Sequence, residues 1–133
     1  MDPWTVLPPH ITVHHVRLDR LSAVTDGHST IWLDDRLTEI EARCALMHEA
    51  LHLLMGHDGH QPAAVESKVR EGTARLLIPL SALWEVRHWQ GAWQGLAEHL
   101  GVTTEVLADR LRWPSEEEKL LRHLVQLELV GEC

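Results

Sequence analysis

Residues 48 to 52 read His-Glu-Ala-Leu-His. On a helix, two histidines four apart lie one turn apart on the same face, so both imidazoles can reach one ion. Glu49 flanks that face, where a carboxylate reaches a metal-bound water without ligating the metal. Zinc makes such a water acidic near neutral pH. The Glu then takes its proton as the water attacks a polarised carbonyl. Two imidazoles leave the site short of a third protein ligand, with a fourth position open for catalysis. The next segment offers Glu66 and Glu71, and spacing does not choose between them. The bland alternative is a solvated helical face, because eleven histidines in 133 residues favour an accidental match.

The elements that must position these groups are legible around them. Thr38 with Glu41 three residues on is a capping box. Apolar residues then recur at Ile40, Cys44, Met47, Leu51 and Leu54 in steps of four and three, the helical period. Gly56 suits a helix C-cap, and residues 57–61 read as a polar loop. Pro62 can open a second helix carrying Val65, Val69, Thr73, Leu76 and Leu77, which Pro79 closes. Further helices are expected over 81–89, 92–100 and 103–113. A last one opens with the capping box Ser115 and Glu118 and repeats Leu120, Leu121, Leu124 and Leu127. Upstream, the first ten residues hold three prolines and read as an irregular arm. Residues 11–13 and 16–18 suit a short strand or a helix edge. Asp26-Gly27 is a turn, and Ser29 to Leu33 a strand ended by Asp34-Asp35. The expected fold class is α+β, mostly helical, with a small N-terminal β element.

Composition bounds the function. A chain of 133 residues with 44% hydrophobic and 24% charged residues is globular. One domain is expected, with a metal-binding core over about 1–80 and a helical part over about 81–133. A formal net charge of −8 disfavours direct nucleic-acid binding. No apolar run approaches the roughly 18 residues that span a bilayer, and the N-terminus does not read as a secretory signal. Cys44 and Cys133 cannot form a disulfide framework, which fits a reducing cytoplasm. The chain has six Trp but neither Tyr nor Phe, so no tyrosine hydroxyl serves the chemistry.

Together, the His48-to-His52 motif, the upstream Gly27 and Ile31-Trp32-Leu33, and Glu66 followed by Ala74-Arg75-Leu76-Leu77-Ile78-Pro79 resemble the ImmA/IrrE-type metallopeptidases. These are gluzincin-like cytoplasmic enzymes. The Leu76-Leu77-Ile78-Pro79 run resembles the family's Leu-Leu-Met-Pro with Ile for Met, and counting back from Pro79 places the family's ligand Glu on Glu66. Val69-Arg70 and Gly72-Thr73 depart from the family's Ala-Asn and Phe-Ala. The segment from Leu96 to Val102 and the later Arg110-Leu111 extend the likeness, which covers roughly Gly27 to Leu111. The resemblance implies a zincin-like minimal metallopeptidase, with a three-stranded sheet whose edge strand lies beside the active-site helix. It implies zinc held by His48, His52 and Glu66 with Glu49 as general base. It also implies a protein substrate or binding partner: a transcriptional regulator such as a repressor, or a toxin–antitoxin component.

Other residues have competing readings. Ile31-Trp32-Leu33 suits either a substrate-pairing edge strand or an ordinary core strand. His99, His88, Arg70 and His15 are candidates for the oxyanion donor, each more simply a surface group. His57 and His60 suit a solvated loop better than a second metal site. Leu96 to Leu111 resembles a helix-turn-helix, but Glu105 and Asp109 on its second helix favour packing over DNA reading. Trp84, Trp89 and Trp93 suit core or half-buried aromatic packing, or a partner groove. Cys44 reads as an inert buried thiol. Leu120 to Leu129 suits docking on the domain or dimerisation, and the oligomeric state stays open. The leading expectation is a zinc-dependent endopeptidase. The alternatives are a metal-containing regulator that acts by binding, and a helical DNA-binding domain.

Overall fold

The computed structural model describes residues 2–57 and 60–112. The second capping box, the Leu120–Leu129 run and Cys133 lie outside them. The fold is α+β: a three-stranded sheet followed by helices. The N-terminal arm is not wholly irregular. Asp2 accepts a hydrogen bond from the Trp4 amide and caps a one-turn helix, α1 (Pro3–Val6), whose first position is Pro3.

The strands are β1 (Thr12–Val16), β2 (Ala23–Thr25) and β3 (Thr30–Asp34), in the spatial order β1-β3-β2. β3 pairs in parallel with β1 and antiparallel with β2. The segment read as a candidate edge strand is therefore the central one. The edge on the other side is β2, three residues too short to show an alternating pattern. The turn between β2 and β3 is built on Asp26, whose Oδ1 accepts the amides of His28, Ser29 and Thr30. These three donors hold the Asp26 carboxyl down at about 2.

Alternation along β3 sends Ile31 and Leu33 to one face, where both are fully buried with Leu46. Trp32 faces the other way and stacks with His14, its partner across the β1 pairing.

The helix carrying the motif is α2 (Glu39–Leu54). Its N-terminus closes as expected: Thr38 Oγ1 accepts the Glu41 amide, and Glu41 Oε1 accepts the Thr38 amide. The apolar stripe along α2 differs from the expected one. The helix is buried on two sides, with Leu46 against the sheet and Cys44 and Met47 against the later helices. At its far end Leu54 is 52% exposed. A helix sandwiched between two layers carries apolar residues around most of its girth, so one stripe does not describe it.

α3 (Ala63–Leu77) follows, preceded by Pro62, then α4 (Leu80–Glu85), α5 (Trp93–Leu100) and α6 (Thr104–Arg112). Gly101 takes the left-handed conformation, φ 71°, that ends α5, and its carbonyl accepts a hydrogen bond from Arg43 of α2. Ala97, Val102 and Leu107 join Met47, Leu77 and Ile78 in the larger core cluster. Fully burying each large aliphatic there stabilises the fold by about 1.5–3 kcal/mol. Arg110 is buried and donates to the Ile78 carbonyl, so the helix-turn-helix-like segment turns this cation inward. The core clusters are aliphatic. Trp84, Trp89 and Trp93 are 40–46% exposed and belong to neither cluster, so of the placements expected for them the core one does not hold.

Candidate metal centre

α2 and α3 pack against each other and bring one cluster together. His48 and His52, one turn apart on α2, aim their Nε2 atoms at the same point, 3.2 Å from each other. Glu66 reaches in from the first turn of α3. Its Oε2 lies 3.3 Å from His48 Nε2, and its Oε1 lies 3.3 Å from His52 Nε2. Donors bound at 2.0–2.1 Å to a tetrahedral zinc stand about 3.3–3.4 Å apart, close to the separation of the two imidazole nitrogens and to the distance from each of them to its nearer Glu66 oxygen. Two imidazoles and a carboxylate are a donor set that zinc takes. His48, His52 and Glu66 thus lie close enough to share a metal ion.

The cluster is unevenly buried. The His52 side chain is 7% exposed, His48 27% and Glu66 32%. Burial, followed by the neighbouring His52, holds the His48 imidazole below its ordinary pKa and favours the neutral form a metal needs. Glu49 lies beside His48. Burial, reinforced by the Glu66 charge, pushes its carboxyl up to about 7.

Two openings meet at His48 and Glu49. One, about 280 Å³, has β2 residues Ala23, Val24 and Thr25 on one wall and His52, His57, His60 and Glu66 on the other. The second, about 490 Å³, runs toward Arg70, Thr73 and Asp109. The strand beside the candidate centre is therefore β2, which sequence patterning did not reveal.

Glu71, the other carboxylate considered as a third ligand, instead pairs with Arg75 one turn along α3, at 3.3 Å. It lies five positions beyond Glu66, a rotation of about 140° around the helix. Of the oxyanion candidates, Arg70 lines the larger opening, held by two hydrogen bonds to Asp109. His99 packs on Trp89, His15 stacks on Trp4, and His88 is exposed. Cys44 is buried as expected, and burial raises its thiol pKa.

His57 is where the loop reading falls short. Its Nδ1 lies 3.0 Å from His52 Nδ1, so it packs behind the candidate centre. The available signal was Gly56, which takes φ 73° and turns the chain back over the last helical turn.

Neither the curated proteins nor the solved structures give a match. Residues 6–112 match the M78 peptidase family, described as the IrrE N-terminal-like domain. The match covers most of the chain and contains every residue of the cluster. This chain belongs to that peptidase family.

Proposed function

We propose that this protein is a zinc-dependent endopeptidase acting in the cytoplasm on a protein regulator, a repressor or toxin–antitoxin component of the kind the family resemblance implies. The observation that carries the reading is the cluster of His48, His52 and Glu66, whose imidazole nitrogens lie 3.2 Å apart and each 3.3 Å from its own Glu66 oxygen, beside the half-buried Glu49. His48 Nε2, His52 Nε2 and a Glu66 oxygen would hold the metal. Zinc bound there would supply a Lewis acid for the peptide carbonyl and lower the pKa of water.

The remaining steps belong to the chain's own groups. The substrate lies extended and adds a strand to β2, whose Ala23, Val24 and Thr25 line the opening. Glu49 accepts a proton on a carboxylate oxygen as water attacks the carbonyl carbon, then passes it to the departing amide nitrogen. With no tyrosine present, Arg70 is the best-placed cation to steady charge on the carbonyl oxygen.

The test begins with metal content. Wild type should carry one zinc per chain. His52→Ala and Glu66→Ala should lose it, and Glu71→Ala should keep it. Loss on Glu71→Ala with retention on Glu66→Ala would overturn the ligand assignment. Zinc-loaded wild type, incubated with a proteome-derived peptide library and read by mass spectrometry, should cut bonds that Glu49→Gln leaves intact. A Glu49→Gln protein that keeps zinc and the full biological effect would instead favour a regulator that acts by binding.

A further inference from the structure

We infer that His57 is a positioning residue: its Nδ1 accepts a hydrogen bond from His52 Nδ1–H and thereby fixes the tautomer that leaves His52 Nε2 free for a metal. The inference rests on the metal reading above and adds a residue outside its ligand set.

The backbone shows why His57 sits there. Met55 caps α2. Gly56 then enters the left-handed region at φ 73°, and its amide bonds to the Leu53 carbonyl at 3.1 Å. The His57 amide bonds back to the His52 carbonyl at 2.9 Å. This pair of bonds, six-to-one outside five-to-two, is a Schellman motif. In that motif the residue after the glycine commonly makes an apolar contact with the helical residue whose carbonyl it caps. Here that contact is between imidazoles, with centroids 5.2 Å apart, rings inclined at 61° and Nδ1 atoms 3.0 Å apart. No side chain crowds Gly56, so the glycine is required for its backbone angle rather than for space.

The direction of the bond follows from valence. A neutral imidazole carries one N–H. If His52 Nε2 offers its lone pair to a metal, the proton resides on Nδ1. His52 then donates and His57 accepts, which places the His57 proton on Nε2. His52 is the more buried of the two ligand imidazoles, so solvent is a poor substitute for this acceptor. Such outer partners orient the ring and raise ligand basicity, and removing one costs roughly ten- to a hundredfold in metal affinity.

The experiment measures zinc affinity by competition with a chromophoric chelator, using full-length protein stripped of metal. His57→Ala should bind zinc roughly ten- to a hundredfold more weakly. His57→Asn, whose amide oxygen takes the place of Nδ1, should recover most of the loss. His57→Gln, which places its oxygen nearer the other nitrogen, should recover less. In zinc-loaded wild type, long-range proton–nitrogen correlation spectra should show His52 protonated on Nδ1 and metal-bound through Nε2, a readout that needs no variant. Unchanged affinity in His57→Ala, equal loss in His57→Ala and His57→Asn, or a His52 ring protonated on Nε2 would each overturn the inference. A wild type that takes up no zinc would overturn both this inference and the proposed function, whereas zinc-binding wild type beside an equally tight His57→Ala would overturn this one alone.

Discussion

Asp109 on α6 grips Arg70 on α3 with both carboxylate oxygens, at 2.7 Å and 3.1 Å, on the wall of the opening that leads to His48 and Glu49. The Asp109 side chain is 10% exposed and the Arg70 side chain 47%, so the pair spans from the packed interior to the cavity surface. Asp109→Asn keeps the shape but removes the charge that aims the guanidinium. Hydrogen bonds to charged groups contribute about 1.5–3 kcal/mol. Chemical denaturation should show Asp109→Asn less stable by about that much. Arg70→Ala in the Asp109→Asn background should cost little more, because the two share one interaction. Additive losses would mean that Arg70 and Asp109 act independently.

Glu49 gives a pH dependence of definite sign in the metal-free protein. Its carboxyl is pushed from 4.5 to about 7, chiefly by burial. Between those values the folded chain holds a proton that the unfolded chain has released. Unfolding therefore releases a proton, and stability falls as pH rises through this window. Glu49→Gln cannot ionise, so denaturation midpoints of the chelated variant should decline less between pH 4.5 and 7 than those of chelated wild type. Parallel curves for the two would remove Glu49 as the cause.

The Asp26 turn has the opposite sign. Its carboxyl is lowered from 3.8 to about 2 by the amides of His28, Ser29 and Thr30. The stabilisation is fully present above the unfolded value and is lost as pH falls through the folded one. Asp26→Ala removes the acceptor for all three amides and should loosen the β2–β3 hairpin at every pH above 4. Faster amide exchange at Thr30, whose amide donates to Asp26, would report it; unchanged protection there would show that the strand pairing alone fixes the turn.

Much of this arrangement was legible in the residues, for reasons that are local. The capping box at Thr38 and Glu41 marked the start of α2, because cap chemistry acts over three residues. The placement of His48 and His52 on one face followed from the helical repeat. Glu66 could not be separated from Glu71 by spacing, since that choice depends on how α3 is rotated against α2. The family resemblance favoured Glu66, the carboxylate that lies beside both imidazoles. β2 escaped notice because three residues, Ala23 to Thr25, carry no period, and its strand identity comes from pairing with β3. The central position of β3 is likewise a property of the sheet rather than of Ile31-Trp32-Leu33. The exposure of Trp84, Trp89 and Trp93 ran against composition, because the aliphatic clusters around Met47 and Leu33 pack without them.

Those tryptophans have an optical consequence. Trp4, Trp84, Trp89 and Trp93 are exposed and Trp32 is half-buried, so ultraviolet emission from the described part of this protein arises mainly from indoles already in contact with water. Loss of the interior should shift that spectrum only modestly to the red. A partner or peptide settling over those rings should shift it to the blue, so the tryptophans among the described residues report surface encounters better than they report unfolding.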